Sequence, residues 1–332
     1  MLSVVALSMA YGNRVELRLA SFGRDEARAL AIAEAGIERA LAEMRMDRNG
    51  FDCLAEAWRR QYLDTDAEGD HALGLPPPPA EIEFADRDGK VLGKYTLRIQ
   101  DVSSKFNINS EVSEGTMREI LLRLLDELEA EDSDEIADCI LDWMDTDDLH
   151  RLNGVESEYY ESLSPPYSAK NGPFDTIEEM LLVKGVTHEL LYGYESEDEE
   201  ERRQGLADYL TVYNDGGVNV NVAPPILMAA ILDVEEPDIE SVIDVRDGGD
   251  GIMGTEDDRP FESQRDLVNV PEFEALYSTA AGRARFSLLT TRSSYMRLHC
   301  EAILGDGAVR RGIVAVVDRG HVPARTVFWR ED

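Results

Sequence analysis

The chain has 332 residues, with 33 Lys+Arg against 68 Asp+Glu, for a formal charge of −35. That charge repels phosphate backbones and anionic lipid surfaces, which argues against sequence-independent nucleic-acid binding and against membrane-surface docking. It suits hard cations held by oxygen ligands, although plain acidic solubility accounts for an excess of this kind equally well.

The length suggests two domains, and 43% hydrophobic residues is too many for a disordered polyanion. Cys53, Cys139 and Cys300 lie far apart with no CxxC and no Cys/His cluster, which excludes a zinc ribbon or a disulfide scaffold. Either one disulfide with one free thiol or three buried free thiols remains open.

In chain order, the opening Met1-Leu-Ser-Val-Val-Ala-Leu-Ser-Met-Ala10 is apolar but shorter than the ~18 residues that a spanning helix needs. Nothing basic precedes it, unlike a signal peptide. It reads as the later part of a hydrophobic helix whose start is missing. From Val4 to about Met46 there is no proline, and Ala27, Leu30, Ile37, Leu41 and Met44 share one helical stripe, which predicts one long helix. A polar stretch ends in Pro76–Pro79, a stiff connector. Strands are expected at Glu81–Ala85 and Lys90–Asp101, joined by an Asp-Gly turn.

From Ser113 to about Tyr277 the periodicity is helical, with helices expected at Met117–Leu128, Asp134–Met144, Thr176–Val183, Thr187–Tyr192 and from Ala223. The acidic run Glu195–Glu201 reads as a solvated loop. Phe286–Thr291, Tyr295–Leu304, Val309–Asp318 and Thr326–Trp329 then return to strand pattern, with a turn at Gly305-Asp-Gly307. Strands on both sides of a helical block imply an α+β domain interrupted by an all-helical one. The expected division is 1–109, 110–280 and 281–332.

The densest chemical feature is Asp138-Cys-Ile-Leu-Asp142-Trp-Met-Asp145-Thr-Asp147-Asp148, with Glu156 and Glu158 downstream. Asp138, Asp142 and Asp145 fall on one helical face. Clustered carboxylates repel unless a cation or protons neutralise them. Bound Ca²⁺, a solvated helix end and catalytic Mg²⁺ are the three readings. The spacing is not that of an EF-hand. A second acidic, glycine-rich stretch, Asp247–Asp258, is either a cation-wrapping loop or a flexible surface loop.

Leu181–Leu190 and Val218–Pro225 have the apolar-Gly-apolar and helix-start patterns of helix-hairpin-helix units. Lys184 alone among acidic neighbours favours a structural hairpin over a DNA grip. For an enzyme the inventory is thin: no GxSxG, HExxH, GxGxxG or P-loop spacing occurs. His299 and Cys300 are strand neighbours that point to opposite faces, and no Lys/Arg/His constellation joins the acidic cluster in sequence.

Taken in order, Tyr11–Arg39 (with Glu34-Ala-Gly-Ile37), Val102-Ser-Ser-Lys-Phe-Asn-Ile-Asn109, Leu141–Asp148, Asn153–Tyr160, Pro165-Pro-Tyr167, Lys170–Leu181, Val183-Lys-Gly-Val186, Leu210-Thr-Val-Tyr213 and Val218–Pro225 resemble the K-type minor pseudopilins of bacterial type II secretion. The resemblance implies a pilin-like α+β domain, a long N-terminal helix plus an antiparallel sheet, interrupted by an all-helical SAM-like or helix-hairpin-helix domain. It implies a non-enzymatic subunit at the tip of a periplasmic pseudopilus, in complex with the I- and J-type minor pseudopilins and anchored in the inner membrane through its N-terminal helix. It also implies Ca²⁺ in the helical domain, with Asp142, Asp145, Asp147, Asp148 and Glu156 as ligands. Against the family pattern, Met1 falls inside the apolar helix, so the start is expected to be internal or truncated, and the 195–201 run is longer than the pattern needs. The alternatives are a secreted helix-hairpin-helix DNA-binding or uptake module, and a metal-dependent hydrolase using Asp142–Asp148.

Overall fold

The computed structural model describes residues 2–63, 79–194, 203–249, 251, 253–255, 257–305 and 307–332. The acidic run 195–201, the first three prolines of Pro76–Pro79, and Asp306 of the Gly305–Gly307 turn lie outside them. The chain divides into two compact units, one of Met1–Arg48, Glu56–Gln100 and Met296–Asp332, the other of Asn49–Ala55 and Asp101–Tyr295. Residues 101–109 and 281–295 therefore fall in the second unit.

The first unit is built on α1 (Leu2–Met44), a 43-residue helix, with the short α2 (Ala57–Arg60). Its sheet contains β1 (Ile82–Ala85), β2 (Val91–Asp101), β7 (Tyr295–Leu304), β8 (Val309–Asp318) and β9 (Arg325–Glu331), in the spatial order β1-β2-β7-β8-β9. β1 pairs antiparallel with β2, and β8 with β9. Neighbouring β2 and β7 are far apart in sequence, and the second unit occupies the chain between them. Tyr95, Leu97 and Ile99 of β2, Met296, Leu298, Cys300 and Ala302 of β7, and Ile313, Ala315 and Val317 of β8 alternate into one core with α1.

The buried line of α1 keeps Ile37, Leu41 and Met44 of the expected stripe and adds a row of small residues. Ala27 is exposed and Leu30 only half-buried, whereas Ala29, Ala33, Gly36 and Ala40 are buried beside Ile32, Ile37, Leu41 and Met44. Small side chains at three- and four-residue spacing let the helix backbone approach the sheet. A Cβ on Gly36 would lie 2.6 Å from Cys300 Sγ and 3.0 Å from the Tyr95 ring. Upstream, Tyr11, Leu17, Leu19 and Phe22 of α1 are exposed. Among the described residues no helix is long and apolar enough to cross a membrane.

The second unit is mainly helical. Its helices are α3 (Glu114–Glu127), α4 (Ser133–Met144), α5 (Ser157–Glu161), α6 (His188–Tyr192), α7 (Leu206–Tyr209), α8 (Pro225–Leu232), α9 (Glu236–Arg246), α10 (Gln264–Val268), α11 (Pro271–Ser278) and α12 (Ala280–Phe286). Ser113 caps α3 by accepting a hydrogen bond from the Thr116 amide at 3.2 Å. Met117, Ile120, Leu121, Leu124 and Leu125 of α3 pack in one core with Ile136, Ile140 and Trp143 of α4 and with Leu227–Leu232 of α8.

Three expectations are corrected here. The unit is not all-helical: β3 (Phe106–Asn107) pairs parallel with β4 (Leu210–Thr211), and β5 (Val218–Asn219) with β6 (Leu289–Thr290). Phe286 ends a helix, and only Leu289 and Thr290 of the expected Phe286–Thr291 strand are extended. The 176–183 helix is a 3₁₀ turn, Ile177–Leu182.

Asparagines explain why the two strand pairs hold. Asn219 and Asn221, 0% and 1% exposed, donate to the Asp52 carbonyl, and Asn221 also exchanges hydrogen bonds with the Phe261 backbone in both directions. Asn109 makes the same two-way clamp on Phe174, while Asn107 donates to the Asn214 carbonyl and Asn214 to that of Lys105. Each side chain satisfies loop backbone that has no ladder of its own.

Gly36→Leu is expected to destabilise the first unit by about 1–3 kcal/mol through overpacking, despite the ~1 kcal/mol that leaving glycine gains in helix propensity. Gly23, with nothing within 4 Å of its Cβ position, supplies the control: Gly23→Ala should be neutral or stabilising. Denaturant unfolding of both variants checks this, and a Gly36→Leu protein as stable as the parent contradicts it.

Candidate metal centre

The site is assembled at the end of α4. Eight of this helix's residues are buried, so its polar positions go into the interior with the rest. Asp142 is fully buried and Asp138 is 3% exposed. The helix stops at Asp145, whose extended backbone breaks the α pattern, and the Asp147 carboxylate accepts from the Leu149 amide at 2.9 Å to fold the turn that follows. No basic residue stands in the last helical turn. Carboxylates here face the negative end of the helix dipole as well as one another.

The chain after the turn folds back over these carboxylates. The Arg151 amide donates to both oxygens of Asp142, at 3.2 and 3.1 Å, and its guanidinium Nη1 lies 2.5 Å from Asp142 Oδ1 and 2.6 Å from Asp145 Oδ2. Its Nη2 reaches Glu114 at 3.1 Å. Gly154 is required next to Asp142, because a Cβ there would lie 1.9 Å from Oδ2. Glu156 then starts α5 with its carboxylate turned inward. It is 7% exposed, and both its oxygens are buried without a hydrogen-bond partner.

One ligand atom each from Asp142, Asp145 and Glu156 lies within 4.8 Å of the others. Burial, reinforced by the charges of Asp142, Asp145, Asp148 and Asp147, pushes the Glu156 carboxyl from its ordinary 4.5 up to about 7. Burial also raises Asp142, and hydrogen bonds from Arg151 oppose that shift. Of the five residues singled out in sequence, these three converge. Asp147 and Asp148 are exposed at the rim. Asp138 faces elsewhere, held by Arg118 Nε at 2.7 Å and by Asn153.

The sequence reading finds no basic residue joining the cluster, and Arg151 corrects it. Asn171 was also missed. It has a positive φ of 50°, its Nδ2 donates to the Asp147 carbonyl and to Asp148, and its Oδ1 is buried without a partner. Neither residue carries a spacing signal, since both reach the site by loop folding.

The donor set consists of hard oxygens alone, which fits Ca²⁺ or Mg²⁺ and not a thiolate- or imidazole-selecting metal. Two buried carboxylate oxygens with no donor are the local sign of a missing positive charge.

The other motifs do structural work. Gly185, at φ 85°, brings the Val183–Val186 turn against Ile136, and Lys184 pairs with Glu135 at 2.5 Å. In the glycine-rich loop Asp257 accepts from the Gly249 amide and Asp258 from that of Gly254. Asp247 holds Arg246, which is 2% exposed. Asp250, Ile252 and Glu256 of that loop lie outside the described residues. Cys53, Cys139 and Cys300 are buried free thiols, and burial pushes those of Cys139 and Cys300 up to about 12, well away from a nucleophilic thiolate.

A family model of type II secretion system protein K matches residues 104–195, which include every residue of the acidic site. Type II secretion system protein K of Pseudomonas aeruginosa is 26% identical over 297 residues, covering 87% of this chain and 74% of that protein. The Aeromonas hydrophila protein of the same name is 35% identical over 114 residues, covering 30% of this chain and 34% of that one. A chain in the crystal structure of the GspK-GspI-GspJ complex from the enterotoxigenic Escherichia coli type 2 secretion system shares the fold, with a TM-score of 0.64 at 15% identity over 95% of this chain and 99% of that one. A long N-terminal helix on an antiparallel sheet, with a large helical unit between two neighbouring strands, is the fold that this chain shares with that structure. Over most of its length the chain is similar to type II secretion system protein K.

The raised Glu156 pKa has a direct consequence for the metal-free chain. The folded state holds a proton that the unfolded state has released, so this contribution to stability is complete below about pH 4.5 and is lost as pH rises through about 7. In chelator, the melting temperature should fall between about pH 5 and about pH 8, and Glu156→Gln should flatten that fall. Parallel curves for the two proteins would contradict the assignment.

Proposed function

We propose that this chain is the minor pseudopilin at the tip of the type II secretion pseudopilus, supporting pseudopilus assembly and protein secretion across the outer membrane. The observation that carries this reading is similarity to protein K along most of the chain, with the match of residues 104–195 at its centre. The first unit is a pilin-like domain, and the second is an inserted SAM-like or helix-hairpin-helix domain. Partners are the I- and J-type minor pseudopilins, following the complex in which the structural relative was solved. The globular part works in the periplasm, and the N-terminal helix leads to the inner membrane. The exposed apolar residues Tyr11, Leu17, Leu19 and Phe22 supply its packing surface.

The tip position has a steric rationale. Pilins stack by their N-terminal helices, and a body the size of residues 101–295 hinders a further subunit from stacking above. The role requires no catalysis. A DNA-gripping hairpin would need free basic residues, whereas Lys184 is engaged with Glu135 in a chain of charge −35.

Ca²⁺ would be held by Asp142, Asp145 and Glu156, with Asp147 and Asp148 at the rim. Its chemistry is structural: it neutralises the carboxylates and ties the end of α4 to the start of α5. Light scattering of the chain mixed with its cognate I- and J-type pseudopilins tests the whole reading. A 1:1:1 complex in Ca²⁺ that weakens in chelator is expected. A monomer under both conditions overturns the tip role.

A further inference from the structure

We propose that Arg151 is a built-in competitor for the cation, its guanidinium and the metal claiming the same oxygens of Asp142 and Asp145 in turn. The inference rests on the calcium reading above. Nη1 stands 2.5 Å from Asp142 Oδ1 and 2.6 Å from Asp145 Oδ2. Those separations lie at the long end of the ~2.3–2.6 Å that Ca²⁺ keeps from oxygen ligands, so one atom already fills the bridging position. Both ends of the exchange have a partner in the structure. Nη2 is on Glu114 at 3.1 Å, an exposed carboxylate at the first turn of α3 that can retain the released side chain. Glu156, 7% exposed and without a donor, is the member of the group that Arg151 does not serve.

This arrangement gives two states of one pocket. Without metal, Arg151 neutralises Asp142 and Asp145 and leaves Glu156 unserved. With metal, all three carboxylates share the ion and the guanidinium withdraws. Arg151 therefore stabilises the empty fold and lowers metal affinity, because the ion must displace it. An arginine that only supported the fold would raise stability in both states and leave affinity unchanged.

The test is titration of the full chain with CaCl₂ by calorimetry, for the parent and Arg151→Gln, with melting curves in chelator. Arg151→Gln should bind Ca²⁺ at least about fivefold more tightly, within the usual range of coupled sites, and melt lower in chelator. Arg118→Gln removes an equal charge from Asp138 and Asp134 without touching Asp142 or Asp145, and should shift the affinity less. Equal or weaker binding by Arg151→Gln overturns the proposal while leaving the metal site standing. No binding by the parent removes both. If Arg151→Gln does not fold, side-chain nitrogen NMR of the parent decides. The Arg151 Nη signals should be resolved and slowly exchanging in chelator and should average when Ca²⁺ saturates the chain. Signals that stay resolved in saturating Ca²⁺ overturn the competition.

Discussion

A carboxylate withdrawn from water without a donor or counter-ion is among the most costly groups that a fold can contain. Glu156 is in that position, with Asp142 and Asp145 close enough to repel it and the carbonyl end of α4 adding to the negative field. The local structure makes sense only around that charge. Gly154 is small so that the loop can cover Asp142, the Arg151 amide and guanidinium both turn to the same carboxylate, and Asp147 bends the chain back. A solvated helix end would need none of these. In the calcium reading proposed above, the ion would tie the end of α4 to the start of α5.

The first unit depends on a different constraint, the distance between α1 and the sheet. Ala29, Ala33, Gly36 and Ala40 set that distance, and Tyr95 and Cys300 fill what remains. The second unit has little sheet and many short helices, so its order comes from a continuous apolar core together with asparagine clamps. The clamps account for the Val102–Asn109 and Val218–Pro225 motifs, which carry the family resemblance without carrying chemistry. Their amide side chains donate to and accept from backbone at once, Asn109 on Phe174 and Asn221 on Phe261.

Much of this was legible in sequence where a residue's role is periodic. The alternation of β2, β7 and β8 gave those strands nearly to the residue, and the apolar repeat gave α3 and α4. Of the stripe expected on α1, Ile37, Leu41 and Met44 are buried and Leu30 packs against the core, while Ala27 is exposed; Ala29, Ala33, Gly36 and Ala40 were missed because close approach selects small side chains that carry little hydrophobic signal. The strand expected at Phe286–Thr291 shrank to two residues because α12 runs on to Phe286 and only Leu289 and Thr290 pair with β5. In the acidic site, Asp142 and Asp145 were visible on one helix face and Glu156 as an acidic residue close downstream, its place among the ligands coming with the family resemblance. Arg151 and Asn171 were not visible, because a loop's fold and not its spacing brings them in. Asp147 and Asp148 share the sequence signal of Asp142 but lie at the rim, which composition alone cannot distinguish.

The central claim is that this pocket exists to hold a cation. Elemental analysis by mass spectrometry tests it most directly, on the folded full chain purified with neither added metal nor chelator. The account predicts calcium at about one equivalent or more per chain, lost on Glu156→Gln. A natively folded chain carrying no calcium and no other divalent ion would contradict it.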